Sequence, residues 1–177
     1  DERKVPEFSM DIYGYDLYPT PYKFKYPKAG EANSAVSLHI YTVANQSVAE
    51  IPLNAYYIPR LQWTNDPHKL TVQTLNRHQN DWQLVQVNSH TKETATLVKE
   101  TSATYVSINK DILFLPDNSF IYQSEKDGYN HFYYCNAKGK LVRQLTRGNW
   151  EVTDCYGYDP KTQQLFYQST QIGSTRR

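Results

Sequence analysis

A unit of about 40–50 residues recurs along this chain, and this repeat limits the possible folds more than any other feature. Each copy contains an apolar or aromatic strand, a turn with an aspartate, and a second strand of alternating polarity. The copies begin at Arg60, Asp111 and Asp154, with the sequences RLQWTNDPHKLTVQTLN, DILFLPDNSFIYQSE and DCYGYDPKTQQLFYQST. The turn aspartates Asp66, Asp117 and Asp159 lie 51 and 42 residues apart. Self-similarity at such a period is typical of stacked supersecondary units.

The first two copies are each followed by a third strand, a short turn and a fourth strand. Alternation and turn residues predict strands at 35–43, 69–75, 82–87, 95–98, 119–123, 131–135, 140–145 and 163–168. No window keeps the i, i+3, i+4, i+7 spacing of apolar residues long enough to predict a helix. Four short antiparallel strands per repeat are typical of a β-propeller blade, whose faces are buried only by its neighbours.

We therefore predict an all-β fold, a partial β-propeller with roughly three to four blades of four-stranded antiparallel meanders. Residues 1–177 would form a single fragment of such a domain. Within it we place a blade remnant at about 23–53, blades at 58–98 and 111–146, and a partial blade at 151–177. An immunoglobulin-like sandwich is the competing all-β fold, but it would not predict the repeat. An open arc of blades would expose apolar faces at its ends, which favours self-association.

Composition and charge exclude several partners. The net charge is +1 and the basic residues are dispersed, which argues against binding to nucleic acid. No apolar run reaches the length of a membrane span.

The chain has 16 tyrosines, which suit strands, half-buried surfaces and ligand-facing grooves. Cys135 and Cys155 have no metal-binding spacing, and their pairing in a disulfide depends on geometry that sequence does not give.

The motifs of common catalytic and cofactor sites are absent. The nucleophile pentapeptide G-x-S-x-G does not occur, since Ser174 in IGSTR lacks the second glycine. HExxH, GxGxxG and a phosphate-binding glycine loop are also missing. The five histidines are scattered without ligand spacing, so we predict no catalytic residue, no cofactor and no metal site.

The stretch SEKDGYNHFYY, residues 124–134, contains the three residue types of a hydrolytic triad, Ser124, Asp127 and His131. A triad needs a nucleophile beside an oxyanion hole, and nothing in this stretch supplies one. Lys-Asp-Gly is instead typical of a tight turn, in which the aspartate binds the local backbone and the glycine takes a positive φ. We predict a turn between two strands, with His131 at the start of the second.

Large aromatic residues occupy equivalent positions in the three repeats, namely Trp63, Phe114 and Tyr156. We expect them to pack between blades. The alternative is a groove for a carbohydrate or a peptide, lined by the tyrosines.

Several runs, in order, resemble the propeller of the dipeptidyl peptidase IV family. They are KFKYPKAGEANSAVSLHIYTV (23–43), YIPRLQWT (57–64), LNRHQNDWQLVQVN (75–88), FLPDNSFIYQSEKDGYNHFYY (114–134) and LTRGNWEVTDCYGYD (145–159). The opening DERKVPEF (1–8) resembles the segment that leads into YPKAG, so the resemblance spans nearly the whole chain. The residues of these motifs resemble those of bacterial members of the family more closely than those of mammalian members.

This resemblance implies an exopeptidase that removes N-terminal dipeptides with proline or alanine at the second position. It implies an eight-bladed propeller and a C-terminal α/β-hydrolase domain that carries the Ser-Asp-His triad outside this chain. The paired glutamates that hold the substrate's amino terminus in the family have no counterpart here, because neither Asp1-Glu2 nor Glu50 lies in their motif. The family's substrate-facing Phe-Arg pair corresponds to the stretch near ETSATYVSIN (100–109), which lacks arginine, so Tyr105 is the candidate substrate-facing residue.

The resemblance thus predicts an internal, non-catalytic propeller segment that walls and gates the substrate chamber of a serine dipeptidyl peptidase. Its expected partners are the parent enzyme's own hydrolase domain, a peptide substrate and a second copy in a homodimer. Bacterial members with signal peptides lead us to expect a periplasmic or secreted protein. The alternatives are a TolB-like propeller that binds proteins without enzymatic activity, and a propeller that binds or hydrolyses glycans.

Overall fold

The structure is a computed structural model that describes residues 1–110 and 112–173, and within these ranges it contains strands and no helix. Asp111, where the second complete predicted blade begins, and residues 174–177, where the last one ends, lie outside the described residues. The strands are β1 (Glu7–Ile12), β2 (Thr20–Lys25), β3 (Leu38–Thr42), β4 (Ser47–Ile51), β5 (Tyr57–Trp63), β6 (Lys69–Leu75), β7 (Asp81–Asn88), β8 (Thr94–Thr101), β9 (Leu113–Phe114), β10 (Phe120–Ser124), β11 (His131–Cys135), β12 (Leu141–Gln144), β13 (Val152–Asp159) and β14 (Gln164–Ser169). The predicted all-β class is confirmed.

Two four-stranded antiparallel meanders form the centre of the chain, in the orders β5-β6-β7-β8 and β9-β10-β11-β12. Each strand pairs with its neighbours in sequence, for example Val72 with Val85 across β6 and β7. The second strand of each meander is buried on both faces, since six of the seven residues of β6 are buried. A strand buried on both faces needs a packing partner on each side of its sheet.

Those partners are the neighbouring sheets, which enclose three separate apolar cores. The first core joins the two meanders and contains Trp82, Leu84, Phe120 and Tyr122. The second core joins the two-stranded sheet β3-β4 to the first meander, with Ile51 against Val72. The third core joins the second meander to the two-stranded sheet β13-β14 and includes Ile121, Phe132 and Val152. Successive sheets therefore stack face to face, which is the packing of propeller blades.

The three repeat aspartates form the same turn in each unit. Asp66, Asp117 and Asp159 each accept a hydrogen bond from the backbone N–H two residues further on, at 2.9, 3.0 and 2.9 Å. The turn is thus set by a local bond between side chain and backbone, as the sequence predicts. A hydrogen bond from the backbone N–H of His68 lowers the pKa of Asp66. Side-chain hydrogen bonds from Ser119 and Thr162 lower the pKa values of Asp117 and Asp159.

The hairpin β1-β2 was not predicted, and it changes the interpretation of the first part of the chain. Residues 23–25 pair with residues 7–9 in this hairpin, whereas β3 and β4 form a different sheet. The unit predicted at about 23–53 therefore takes in strands of two separate sheets. The other predicted blade boundaries stay predictions.

The expected packing of the repeat aromatics between blades is wrong for two of the three residues. Phe114 packs against the core between the two meanders, but Trp63 is 54% exposed and Tyr156 is 67% exposed. All three residues lie on strands at the edges of their sheets, β5, β9 and β13, so this position does not explain the difference. Among the described residues, no neighbouring sheet covers Trp63 or Tyr156.

A glycine in the β11–β12 turn brings the outer strands of the two meanders into contact. A Cβ on Gly139 would lie 2.0 Å from the carbonyl oxygen of Leu97, and the φ of Gly139 is +82°. Leu97 lies in β8, between the partners of Leu84 and Val85, where the register shifts by one residue. The bulge and the glycine together allow the backbones of neighbouring sheets to approach.

We expect Gly139→Ala to destabilise the fold more than Gly128→Ala does. Both glycines have positive φ values, +82° and +102°, so both changes add backbone strain of about 1–2 kcal/mol. Only Gly139 faces a neighbouring backbone, since nothing lies within 4 Å of a Cβ on Gly128. Overpacking against Leu97 should lower the free energy of unfolding of Gly139→Ala further, by about 1–3 kcal/mol. Unfolding in urea measures the free energy of unfolding of both variants. Equal losses for the two variants would contradict the proposed contact between sheets.

Candidate functional site

A cavity of about 450 Å³ lies where three successive sheets meet. Its walls are the linker between β8 and β9, the β10–β11 turn, and the start of β13, represented by Thr153 and Asp154. Tyr105 lines this cavity and is 51% exposed. The structure therefore places the sequence-predicted candidate on the wall of a cavity, and its role towards a substrate stays a prediction.

Hydrogen bonds on both sides hold the linker that carries Tyr105. The backbone N–H groups of Ser102 and Val106 donate to the carbonyl oxygens of Asn80 and Gln79 in the preceding sheet, both at 3.0 Å. On the other side, the Ser107 hydroxyl donates to Glu125 Oε1 at 2.9 Å. Loops fixed by a rigid scaffold are common places for binding residues.

The residues of SEKDGYNHFYY do not form a triad. Ser124 and His131 pair across β10 and β11, but their side chains have different partners. The Ser124 hydroxyl donates to Glu100 Oε2 at 2.7 Å, and Asp127 accepts a hydrogen bond from Gln144. The backbone N–H of Gly128 donates to Glu125 at 2.9 Å and the φ of Gly128 is +102°, so the predicted turn is confirmed.

His131 is a fully buried structural residue. Its Nε2 lies 3.0 Å from the carbonyl oxygen of Gly148, and its Nδ1 lies 3.1 Å from the Thr146 hydroxyl. That hydroxyl also accepts the N–H of Phe132, so its own proton is available to Nδ1. Because the carbonyl oxygen of Gly148 can only accept, Nε2 carries a proton and donates to it. Trp150 contacts the ring edge to face, with centroids 4.8 Å apart.

A half-buried carboxylate at the cavity rim links the two meanders. Glu100, at the end of β8, accepts hydrogen bonds from Tyr122 at 2.9 Å and Ser124 at 2.7 Å, both in β10. The Lys126 ammonium donates to the Tyr122 oxygen at 2.9 Å and lies 3.7 Å from the ring centroid of Tyr133. Burial, followed by the charge of Glu100, raises the pKa of Tyr122, so this phenol stays neutral and donates to the carboxylate. Each charge in this cluster has a partner, since Lys126 also lies 3.8 Å from Glu100 Oε1.

The lining of the cavity is mostly polar. Its polar lining combines side-chain amides and hydroxyls with charges of both signs, including Lys110 and Asp154, which lie 4.0 Å apart. Within 1–110 and 112–173, no group of three or more His, Cys, Asp and Glu residues is arranged to hold a metal ion. Cys135 is 1% exposed, and burial raises the pKa of its thiol to about 11, which disfavours the reactive thiolate. Among the described residues, no helix is long and apolar enough to cross a membrane.

Comparison with known proteins decides the family. The family model for the dipeptidyl peptidase IV (DPP IV) N-terminal region matches residues 1–177. The chain belongs to this family. Its fold is similar to the crystal structure of Porphyromonas gingivalis dipeptidyl peptidase 4, with a TM-score of 0.89 and 40% identity over 98% of this chain and 25% of that one. Because that neighbour is a dipeptidyl peptidase 4, the stacked sheets are part of a DPP IV-type propeller.

Two relatives extend the comparison. The protein named "Probable dipeptidyl peptidase 4" from Aspergillus flavus is 27% identical over 100% of this chain and 25% of its own length. "Inactive dipeptidyl peptidase 10" from Rattus norvegicus is 29% identical over 98% of this chain and 24% of its own length. The chain thus spans about a quarter of the length of each relative. One of the two carries a name that describes it as inactive, so membership of the DPP IV family does not by itself imply activity.

The Glu100 network could not be predicted from the sequence. Tyr122 and Ser124 follow Glu100 by 22 and 24 residues and lie in another sheet. Their contact depends on how the meanders stack, and a single sequence contains no local signal for it.

We expect the double substitution Tyr122→Phe and Ser124→Ala to lower the free energy of unfolding by about 1–3 kcal/mol for each hydroxyl removed. The physical reason is that the Glu100 carboxylate, whose side chain is 14% exposed, loses both hydroxyl donors. Urea unfolding measures the loss. Tyr134→Phe is the matched control, because Tyr134 donates only to the neutral Ser119 hydroxyl at 3.1 Å and should cost less. A double variant no less stable than this control would show that the network does not stabilise the contact.

Proposed function

We propose that this chain is a non-catalytic part of the propeller of a dipeptidyl peptidase IV-like serine exopeptidase, which removes N-terminal Xaa-Pro and Xaa-Ala dipeptides. The observation that carries the proposal is the family match over residues 1–177, together with the 0.89 TM-score to the Porphyromonas gingivalis enzyme. The triad would belong to an α/β-hydrolase domain outside this chain. A triad in another domain agrees with the lack of a G-x-S-x-G motif in this sequence and with the structural roles of Ser124 and His131.

In this proposal the cavity lined by Tyr105 faces the substrate chamber. Amide and hydroxyl groups on its wall would bind the backbone of a peptide, and the half-exposed tyrosine ring would contact a substrate side chain. The sheets beneath it pack around apolar cores, so the wall would be rigid. In this proposal the chamber admits slim peptide termini and excludes folded chains. The periplasmic or secreted location is part of the same proposal and rests on the resemblance to bacterial members.

The proposed homodimer has a candidate surface at the tip of hairpin β1-β2. Tyr13, Tyr15, Leu17 and Tyr18 are 80%, 110%, 88% and 77% exposed. An apolar cluster this exposed is typical of a protein–protein contact.

A binding propeller without peptidase activity is the second candidate function. The relative named "Inactive dipeptidyl peptidase 10" favours it, because that protein is similar to 98% of this chain and its name denotes no activity. The two candidates differ in whether the full-length protein hydrolyses dipeptide substrates.

We expect the full-length protein to release dipeptides from chromogenic Xaa-Pro substrates, and residues 1–177 alone to release none. Tyr105→Ala in the full-length protein should raise KM about five-fold, which corresponds to the loss of about 1 kcal/mol of binding. Steady-state kinetics measures both effects.

The matched control is Tyr41→Ala, since Tyr41 is similarly exposed at 57% but lies on β3, in another sheet. It should leave KM unchanged. Lack of turnover by the full-length protein would contradict the peptidase proposal and favour the binding propeller. Turnover with an unchanged KM for Tyr105→Ala would remove Tyr105 from the substrate site.

We expect the pair Tyr15→Ser and Leu17→Ser to weaken self-association of the full-length protein, because the change removes apolar area from the hairpin tip. Sedimentation velocity over a concentration series measures the dissociation constant. Val142→Ser is the control, since Val142 is 54% exposed on β12, far along the chain from the hairpin. A dimer unchanged by the hairpin variant would place its interface elsewhere.

A further inference from the structure

The cavity-lining linker is tied to the first meander by one buried glutamine. Gln73, in the middle of β6, is 4% exposed. Its Nε2 donates to the backbone carbonyl oxygen of Asn109 at 2.8 Å, across 36 residues of sequence. Asn109 is one of the residues that line the cavity, whereas Gln73 does not line it. The glutamine therefore contacts the cavity wall from behind.

The orientation of this amide is fixed by its two partners. The indole Nε1 of Trp82, which is fully buried, donates to Gln73 Oε1 at 3.0 Å. An indole N–H can only donate and a backbone carbonyl oxygen can only accept. The carbonyl end of the amide must therefore face Trp82 and its NH₂ end must face Asn109. A flipped amide would leave two buried groups without partners, at a cost in free energy.

The same chain of bonds continues beneath the cavity to the next two sheets. Asn109 Oδ1 accepts the backbone N–H of Gln123 at 2.6 Å, which ties the linker to β10. The side chain of Gln123 then accepts a hydrogen bond from Asn130 at 2.7 Å, and Asn130 also donates to the carbonyl oxygen of Val152 at 2.7 Å. The bonds thus connect β6, the linker, β10 and β13.

We propose that Gln73 is a positioning residue for the cavity: held by Trp82, it fixes the linker that carries Tyr105 and so sets the affinity of the wall for a peptide substrate. The effect on peptide affinity rests on the proposed function. The fixing of the linker by Gln73 does not depend on it. The geometry requires an amide at position 73. A glutamate would keep the acceptor for Trp82 and would place an oxygen against the carbonyl oxygen of Asn109.

A second glutamine provides a matched control. Gln62, in β5, also bonds the linker, since it donates to the carbonyl oxygen of Ile112 at 2.9 Å and accepts the N–H of Ile112 at 3.2 Å. Ile112 lies past the cavity-lining part of the linker and does not line the cavity. Loss of these two hydrogen bonds should therefore destabilise the fold without moving the cavity wall.

The test compares Gln73→Glu, Gln73→Leu and Asn109→Leu with Gln62→Leu in the full-length protein. Asn109→Leu keeps the bond that Gln73 donates to the backbone and removes the acceptor for Gln123, so it tests the next bond of the same chain. The readouts are the melting temperature, amide hydrogen exchange of residues 102–110, and kcat and KM for an Xaa-Pro p-nitroanilide. We expect the Gln73 and Asn109 variants to speed exchange of residues 102–110 and to raise KM about ten-fold with kcat little changed.

The control should lower the melting temperature and leave KM and the exchange of residues 102–110 unchanged. Gln73 variants that lose only melting temperature, as the control does, would overturn the positioning role. A wild-type protein without turnover would count against the proposed peptidase alone. In that case hydrogen exchange decides the positioning step: faster exchange in the Gln73 variants supports it, and unchanged exchange overturns it.

Discussion

The burial of apolar sheet faces against neighbouring sheets is the interaction on which the rest of the structure depends. The central strands β6, β10 and β11 have buried side chains on both faces, so neither meander could cover its own core. Trp82 and Phe120, each 0% exposed, come from opposite meanders and lie in one core. Because area removed from water stabilises by about 25 cal/mol per Å², such large side chains make stacking strongly favourable. The sheets are consequently stable only as a stack.

Stacking also creates the candidate site. The linker between β8 and β9 joins the last strand of one sheet to the first strand of the next. It lines the cavity where three sheets meet. Polar groups that the stack buries there find partners across sheets, as Glu100 does with Tyr122 and Ser124. Gln73 likewise donates a hydrogen bond to the backbone of the linker, at the carbonyl oxygen of Asn109. The cavity wall is thus held by side chains that belong to the scaffold, which agrees with a role in binding and positioning.

The sequence allowed much of the fold to be predicted because the repeat is built from local chemistry. The turn aspartates such as Asp117 bind a backbone N–H two residues away, and the strands alternate or end where the sequence indicates. Hairpin β1-β2 was missed because its side chains are mostly exposed and give no contrast between two faces. The exposure of Trp63 and Tyr156 could not be predicted from the repeat, because Phe114 has the equivalent position on an edge strand and packs against a core. The Glu100 and Gln73 contacts join residues 22 to 36 positions apart, and only the stacked sheets bring them together.

We propose that this chain walls the substrate chamber of a DPP IV-like peptidase, with the Tyr105 cavity on the chamber side. A crystal structure of the full-length protein with a non-cleavable Xaa-Pro peptide bound would test this placement. We expect a hydrolase domain over the face that carries residues 100–110, and the peptide between its catalytic serine and this linker. A peptide or hydrolase domain on the opposite face, with the Tyr105 cavity open to solvent, would show that this placement is wrong.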